Sequence, residues 1–425
     1  MMNKDSVIKI GVEFSRILIG VVFIFSGFVK AVDPMGGAIK IGEYLTSFGL
    51  EKLEPLSIVL SFNLSAIEFT LGVCMLLGAY RRYTAFWVLS FMSFMTLLTL
   101  YLALFDPVSD CGCFGDALIL SNWETFLKNV LLLIAAIVIY KYNQRLYPFY
   151  TYKVYWFVAL YAYLLCFGFA LYNYNHLPVI DFRPYKIGAN IPQMMEIPEG
   201  APVDEYKYTL IYEKEGVKKE FSLENYPEND TSWTFVETKA ELIKKGYQPL
   251  IRDFNLYDTK GVEVTEEIIH HQGLVFLLIA PNLEDADDDR MDAMSDVYDY
   301  ALENGLLFYC VTSSSLETMA FWSDHTGAEY PFLTADEVML KTIVRSNPGL
   351  MLLQNGTILE KWHSNDFPDE DTIEEEMARC LDENYIKNEE DGLLVTNLLT
   401  FAVPLLLVWM YDLIRNKRRR KEEEI

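Results

Sequence analysis

The chain has 425 residues, is 52% hydrophobic and carries a formal charge of −25, a combination that argues against one uniform globular body. Of its 60 acidic and 35 basic residues, 45 and 17 fall between Asn173 and Gly392, leaving 15 and 18 elsewhere. An acidic soluble domain inserted into a membrane protein is expected, and nucleic acid, whose phosphates such a domain would repel, is excluded as a partner.

Six segments are long and apolar enough to span a bilayer: residues 8–31, 56–77, 83–105, 125–142, 154–172 and 393–413. Lys4 and Lys9 precede the first, Arg81 and Arg82 follow the second, Lys141, Arg145 and Lys153 follow the fourth, and Arg415 with the basic run 417–421 follows the sixth. These alternate with one side of the membrane, while the opposite short loops hold Lys30, Lys40 and Lys52. The positive-inside rule makes both termini cytoplasmic and residues 173–392 periplasmic, in a bacterial inner membrane whose lipid is the chain's first partner. The first segment, without a small-residue cleavage site, reads as a retained anchor.

Within the first span, Gly20 and Gly27 are seven apart on one helix face, which permits close helix approach. Glu13 and Arg16 are i, i+3 neighbours able to pair. Glu68 lies deep in the second span, where an ionisable group is costly and faces the bundle interior with a partner. Arg16 and Glu68 are thus the intramembrane polar candidates, although Arg16 sits at the wrong depth to be the partner of Glu68. A structural ion pair or neutral hydrogen-bonded acid competes with a proton-handling or quinone-side role for Glu68.

Two of the six cysteines, Cys111 and Cys113, flank Gly112 in the loop after the third span, in the run Cys111-Gly112-Cys113-Phe114-Gly115-Asp116. Cys74 and Cys166 fall inside apolar spans, Cys310 in an apolar strand and Cys380 on a late helix, as small hydrophobes do. A disulfide between residues two apart closes a small ring that is readily reduced, and Gly112 supplies the backbone freedom it needs. Asp110 and Asp116 flank the pair, and their charge would raise the thiol pKa. Zinc would need two further ligands that the sequence does not identify, so no metal site is expected. Neither the His270-His271 pair nor the acidic run 284–289 has metal-ligand spacing.

The stretch RILIGVVFIFSGFVKAVDP resembles the opening helix of the DoxX family of four-helix membrane proteins. The CGCFGD loop at the outer end of the third span is similar to that of the MauE branch, which is associated with methylamine utilisation and with disulfide supply to periplasmic partners. The resemblance covers roughly residues 8–142 and implies a helical membrane bundle whose loop thiols are redox-active.

In the outer domain, 206–213 and 216–222 read as a hairpin and 238–245 as a helix ending at Gly246. From Gly273 the order is regular: strand 274–280, helix 286–304, strand 306–312, helix 316–325, helix 338–345, strand 350–354, an Asn355-Gly356 turn, strand 357–363 and helix 369–384. This order resembles a thioredoxin-like domain of periplasmic thiol-disulfide proteins. The turn that would carry Cys-x-x-Cys reads Pro281-Asn282-Leu283-Glu284 instead, and Pro348 matches the family's cis-proline. The resemblance therefore implies a docking domain without dithiol chemistry, and a cis Asn347–Pro348 bond.

The expected architecture is an α-helical membrane bundle, a four-helix unit plus two further spans, with an inserted α/β domain. Its parts are residues 1–145 (four-helix domain), 146–176 (fifth span), 177–272 (a mixed β-containing segment), 273–388 (thioredoxin-like) and 389–425 (sixth span and basic tail). Two functions stand open. In one, Cys111 and Cys113 cycle between dithiol and disulfide, exchanging with a periplasmic thiol-disulfide protein and with a membrane carrier such as a quinone. In the other, the pair is structural and the chain is a membrane-anchored scaffold of a periplasmic complex.

Overall fold

The computed structural model describes residues 4–108, 111–202, 205–214, 216–222, 225–227, 230, 232–244, 246–382 and 399–415. Asp110, the first residues of the sixth expected span (393–398), the basic run 417–421 and residues 383–384 lie outside them.

The N-terminal part is helical: α1 (Lys4–Val32), α2 (Pro34–Ser47), α3 (Ser57–Leu77), α4 (Arg81–Phe105), α5 (Asn122–Tyr142) and α6 (Tyr155–Asn175). The chain breaks between α1 and α2 because Asp33 caps α2, its carboxylate accepting the Gly36 N–H, and Pro34 starts it without needing a donor. Four helical stretches are long and apolar enough to cross a membrane: Glu51–Leu77, Arg81–Phe105, Asn122–Arg145 and Tyr152–Asn175. Their outer faces carry exposed Phe94, Leu97, Leu127, Leu131 and Leu164, the pattern of a surface solvated by lipid rather than water. The first and sixth expected spans are not among these four; α1 is a continuous helix and residues 399–415 are helical.

α1 and α3 form the centre. A Cβ added to Gly27 would lie 2.5 Å from the Phe69 nitrogen, and one added to Gly72 would lie 2.7 Å from the Ile24 nitrogen. Gly20 also faces α3, at Leu76. The glycines therefore let the two backbones meet. On one side Ile19 and Phe23 pack with Met75, Met92, Leu132 and Ala136 of α3, α4 and α5. On the other, Ala66, Phe69 and Val73 pack with Val158, Ala162 and Ala170 of α6 and with Leu405.

The outer domain begins with the short helix α7 (Ile191–Met195) and a three-stranded antiparallel sheet, β1 (Glu205–Lys214), β2 (Val217–Ser222) and β3 (Thr234–Lys244), in the order β2-β1-β3. The helix expected at 238–245 is strand: Thr238, Lys239 and Ala240 pair with Leu210, Thr209 and Tyr208. Ladder bonds and the β-branched start of the segment override the helical spacing near its end.

A second sheet follows, with elements β4 (Tyr257–Asp258), α8 (Thr265–Ile269), β5 (Leu274–Ala280), α9 (Met291–Glu303), β6 (Leu307–Thr312), α10 (Leu316–Thr326), β7 (Phe332–Thr334), α11 (Glu337–Ile343), β8 (Gly349–Gln354), β9 (Thr357–His363) and α12 (Ile373–Cys380). Its order is β4-β7-β6-β5-β8-β9, with β5, β6 and β7 parallel and the other pairings antiparallel. β5 is buried on both faces: Phe276 and Leu278 meet α9, α10 and α12, whereas Val275, Leu277 and Ile279 meet α8 and α11. That explains its uninterrupted apolar sequence.

Three expectations need correction. β4 and β7 were missed, being two and three residues long. α9 starts at Met291 rather than 286, because the Asp287 N–H is taken by the Asn347 carbonyl and the Asp289 N–H by the Asp287 side chain. α12 starts at Ile373 rather than 369, since Asp369 and Thr372 close a turn before it.

Candidate functional site at the paired-cysteine loop

α4 ends at Phe105, and the chain makes an excursion before Ser121 caps α5 in a capping box with Glu124. Asn122 ties the start of that excursion, donating to Asp106 (2.7 Å) and to the Val108 carbonyl (3.0 Å). Within it Cys111 and Cys113 are bonded to one another, with their Cα atoms 5.4 Å apart. Gly112 between them has φ +62, and its Cα faces the Lys40 side chain at a distance that leaves an added Cβ only 3.2 Å from Lys40 Cγ. No side chain fits there without strain. Phe114 is buried, with its ring 5.4 Å from Phe25 of α1 and beneath Lys128 Nζ at 4.1 Å. The loop is thus driven into the helix end by one aromatic anchor.

Its backbone rests on polar groups from α1 and α2, backed by a carboxylate from α3. Tyr44 of α2 donates to the Cys111 carbonyl (2.8 Å). Lys30 of α1 donates to the Cys113 carbonyl (2.9 Å), to Ser26 (2.7 Å) and to Glu68 Oε2 of α3 (2.7 Å). Ser26 Oγ lies 2.6 Å from Glu68 Oε2 and 2.8 Å from the Cys113 carbonyl, so its single proton serves one of two acceptors. Glu68 is 3% and Lys30 11% exposed at the side chain. Unpaired, neither charge would be tolerated at this depth. Together they form a neutral floor under the disulfide. Beside it is a cavity of about 30 Å³ lined by Ser26, Lys30, Glu68, Cys113, Lys128 and Asn129, among others, roomy enough for one water.

The other face of the loop meets the outer domain. Arg345, just after α11, chelates Asp33 through Nε (3.0 Å) and Nη2 (2.8 Å), and Nη2 lies 3.5 Å from Asp116 of the loop. Burial alone would lower the Arg345 pKa, but Asp33 and Asp116 outweigh it and raise it. Behind this clamp Asp181, in the segment after α6, takes Arg183 (2.8 Å) and Lys361 (2.5 Å). Burial pushes the Asp181 carboxyl up, yet the two cations overcome it and hold it at about 2. The Asn347–Pro348 bond, between Arg345 and β8, is cis. Asn347 Nδ2 donates to the Asn282 carbonyl (2.7 Å), joining that loop to the Pro281–Glu284 turn.

The expected residues are therefore not one constellation. Glu68 joins the cysteine loop; Arg16 does not. Arg16 pairs with Glu13 (2.9 Å), donates to the Tyr147 carbonyl (3.0 Å) and stacks on Phe149. Pro348 lies three residues beyond Arg345, the residue through which the outer domain meets the loop. The partner of Glu68 is Lys30, which the sequence reading assigned to an outer loop, and Ser26, Tyr44, Lys128 and Arg345 were missed. A signal for Lys30 existed: it is one turn beyond Ser26 on the face that carries Gly27. Cys310 is wholly buried, and burial pushes its thiol far up; Cys380 is pushed up to about 12 by burial and then by Glu360 and Glu376. Both are unreactive thiols at neutral pH.

These features define a membrane protein with a paired-cysteine loop at one end of its helices and an α/β domain seated against that end. Residues 8–141 match the family described as Methylamine utilisation protein MauE, so the helical membrane part of the chain is similar to that family. Residues 206–245, the three-stranded sheet, match a domain of unknown function, DUF8463. Solved structures that align with part of the chain include a candidate protein disulfide isomerase from Bacteroides thetaiotaomicron (17% identity, 32% of this chain and 91% of that one, TM-score 0.26). Another is the bacterioferritin comigratory protein of Xanthomonas campestris, studied for alkyl peroxide reduction (14% identity, 26% and 81%, TM-score 0.21). No curated protein matches the chain.

Proposed function

We propose that the chain is a membrane-anchored disulfide carrier in which Cys111 and Cys113 exchange with a dithiol protein on the periplasmic side. The observation that carries this is the bonded pair itself, held over the Lys30–Glu68–Ser26 floor by its own carbonyls. A purely structural turn has no need of two matched charges beneath it, whose burial is costly. In this reading α1 and the helix at 399–415 complete six spans of a DoxX-type bundle in a bacterial inner membrane, with both termini cytoplasmic. The sheet order and the helices on both of its faces support a thioredoxin-like outer domain. Having no cysteine in the Pro281–Glu284 turn, it docks and covers rather than reacts. A quinone is the expected class of final electron carrier.

The test is thiol trapping of Cys111 and Cys113 in isolated membranes, before and after exposure to a reductant and then to an oxidised dithiol protein. The carrier reading requires both cysteines to move between blocked and alkylatable forms, and a Cys111→Ser, Cys113→Ser variant to abolish the exchange. Identical alkylation in every state would sink it.

A scaffold reading draws on the Arg345 clamp, which fixes the outer domain to the bundle. Isolation in mild detergent separates the two: partners retained by the double-Ser variant favour a scaffold.

A further inference from the structure

We propose that Lys128 is the cation that holds Cys113 as a thiolate once the loop disulfide is reduced, an inference that rests on the carrier reading above. Lys128 projects from α5 into the cavity that Cys113, Lys30 and Glu68 also line. Its Nζ sits over the Phe114 ring at 4.1 Å, a cation–π contact that offers weak compensation for a desolvated ammonium. Among the described residues it makes no salt bridge and no hydrogen bond; the carboxylate that acts on it across the cavity is Glu68. Lys30, by contrast, is already matched to Glu68 at 2.7 Å.

The charges around the cavity are therefore Lys30 and Lys128 against Glu68. With the disulfide closed, one positive charge is left over. A thiolate on Cys113 is the charge that balances it, in a setting where low dielectric strengthens the attraction. Cys111 is not in the cavity wall; its surroundings are α2 and the loop. The remaining charged or titratable groups around the loop are Lys40 and Tyr44 from α2, Asp116 in the loop, engaged by Arg345 from the outer domain, and Asp110 beside Cys111 in sequence.

The reaction balances as follows. A dithiol of the partner protein gives up two electrons and two protons, and its own disulfide forms. The Cys111–Cys113 bond breaks; Cys111 keeps one proton as a thiol, Cys113 remains a thiolate against Lys128, and the second proton passes to solvent. Stabilising the reduced form in this way makes the loop disulfide a stronger oxidant.

The experiment uses the full chain in lipid nanodiscs. First, the wild-type pair is cycled with dithiothreitol and with an oxidised dithiol protein. Then the pH dependence of iodoacetamide alkylation of Cys113 is measured in a Cys111→Ser background, with Lys128 intact, as Lys128→Met and as Lys128→Arg. Lys128→Met should move the midpoint up by about one pH unit or more, cutting the thiolate fraction at neutral pH roughly tenfold. Lys128→Arg should stay near the parent, and Lys141→Met on the same helix should change nothing. The glutathione equilibrium of the intact pair should shift toward the disulfide in Lys128→Met. A Lys128→Met profile that superimposes on the parent, in a protein whose pair does cycle, overturns the role of Lys128 and leaves the carrier reading standing. A wild-type pair that does not cycle overturns both.

Discussion

Consider removing one or both members of the Lys30–Glu68 pair. The two side chains are 11% and 3% exposed and 2.7 Å apart, and Glu68 also faces Ser26 at 2.6 Å. Glu68→Leu leaves the Lys30 ammonium with only Ser26 and the Cys113 carbonyl as acceptors; Lys30→Met leaves a carboxylate with one hydroxyl in contact and the Lys128 ammonium across the cavity. Breaking a buried pair by deleting one partner costs about 3–5 kcal/mol, because a charge remains uncompensated, whereas replacing both with apolar groups of similar size is close to neutral. The double variant should therefore be more stable than either single one by about 3 kcal/mol. The assay is a double-mutant cycle on reversible unfolding of the full chain in mixed micelles of mild detergent and dodecyl sulfate. If the two single losses simply add in the double variant, to within about 0.5 kcal/mol, the pair is not coupled and the floor described under the disulfide does not exist as a unit. Both Lys30 variants lose the bonds to Ser26 and to the Cys113 carbonyl, and that loss cancels in the cycle, which reads the Lys30–Glu68 coupling.

Two other outcomes follow from the geometry. Gly27→Val should destabilise the α1–α3 contact by about 1–3 kcal/mol or more, because a Cβ there meets the Phe69 nitrogen at 2.5 Å and the Ser65 carbonyl at 2.7 Å; Gly11→Ala, where nothing lies within 4 Å, should be neutral or slightly stabilising in the same unfolding assay. Asp181 is held at about 2, below the ordinary value, so its contribution is complete above about pH 4 and disappears as pH falls toward about 2. It amounts to roughly 2 kcal/mol, and Asp181→Asn should flatten the acid limb of the unfolding profile over that window while lowering stability above it.

How much of this could be read in advance depends on how local each cause is. The cysteine loop carries its own signal, since Cys111, Gly112 and Cys113 are adjacent. So do β5, whose apolar run needs no partner to be recognised, and the tight turn at Asn355 and Gly356, both of which have positive φ (49 and 72). What surrounds the loop is not local. Lys30 and Glu68 are 38 residues apart, and Arg345 and Asp33 are 312 apart; a charged residue near a span end looks solvated until its partner is placed. β3 shows the same limit from the other direction. Its last residues have helical spacing, and only the ladder with β1 decides otherwise. α2 had a readable start in Asp33 and Pro34, but its mixed glycine and polar sequence hid it behind the apolar spans.

The outer domain leaves the bundle after Asn175, the end of α6, and the chain is back against the bundle by residue 399. The returning helix is fastened there: the Tyr150 hydroxyl donates to the Leu405 carbonyl (2.9 Å), and Asp412 accepts from the Thr151 N–H (2.8 Å) and hydroxyl (2.7 Å). The domain is thus leashed at both ends, and its encounter with the loop is intramolecular. Short tethers of this kind set an effective concentration on the order of millimolar. Any protein that approaches the loop on the Asp116 side competes with the outer domain at that concentration, which Arg345 secures at Asp33 and Asp116. If the loop is the disulfide carrier proposed above, the leash, rather than the chemistry of the disulfide, sets how tightly a partner has to bind before exchange.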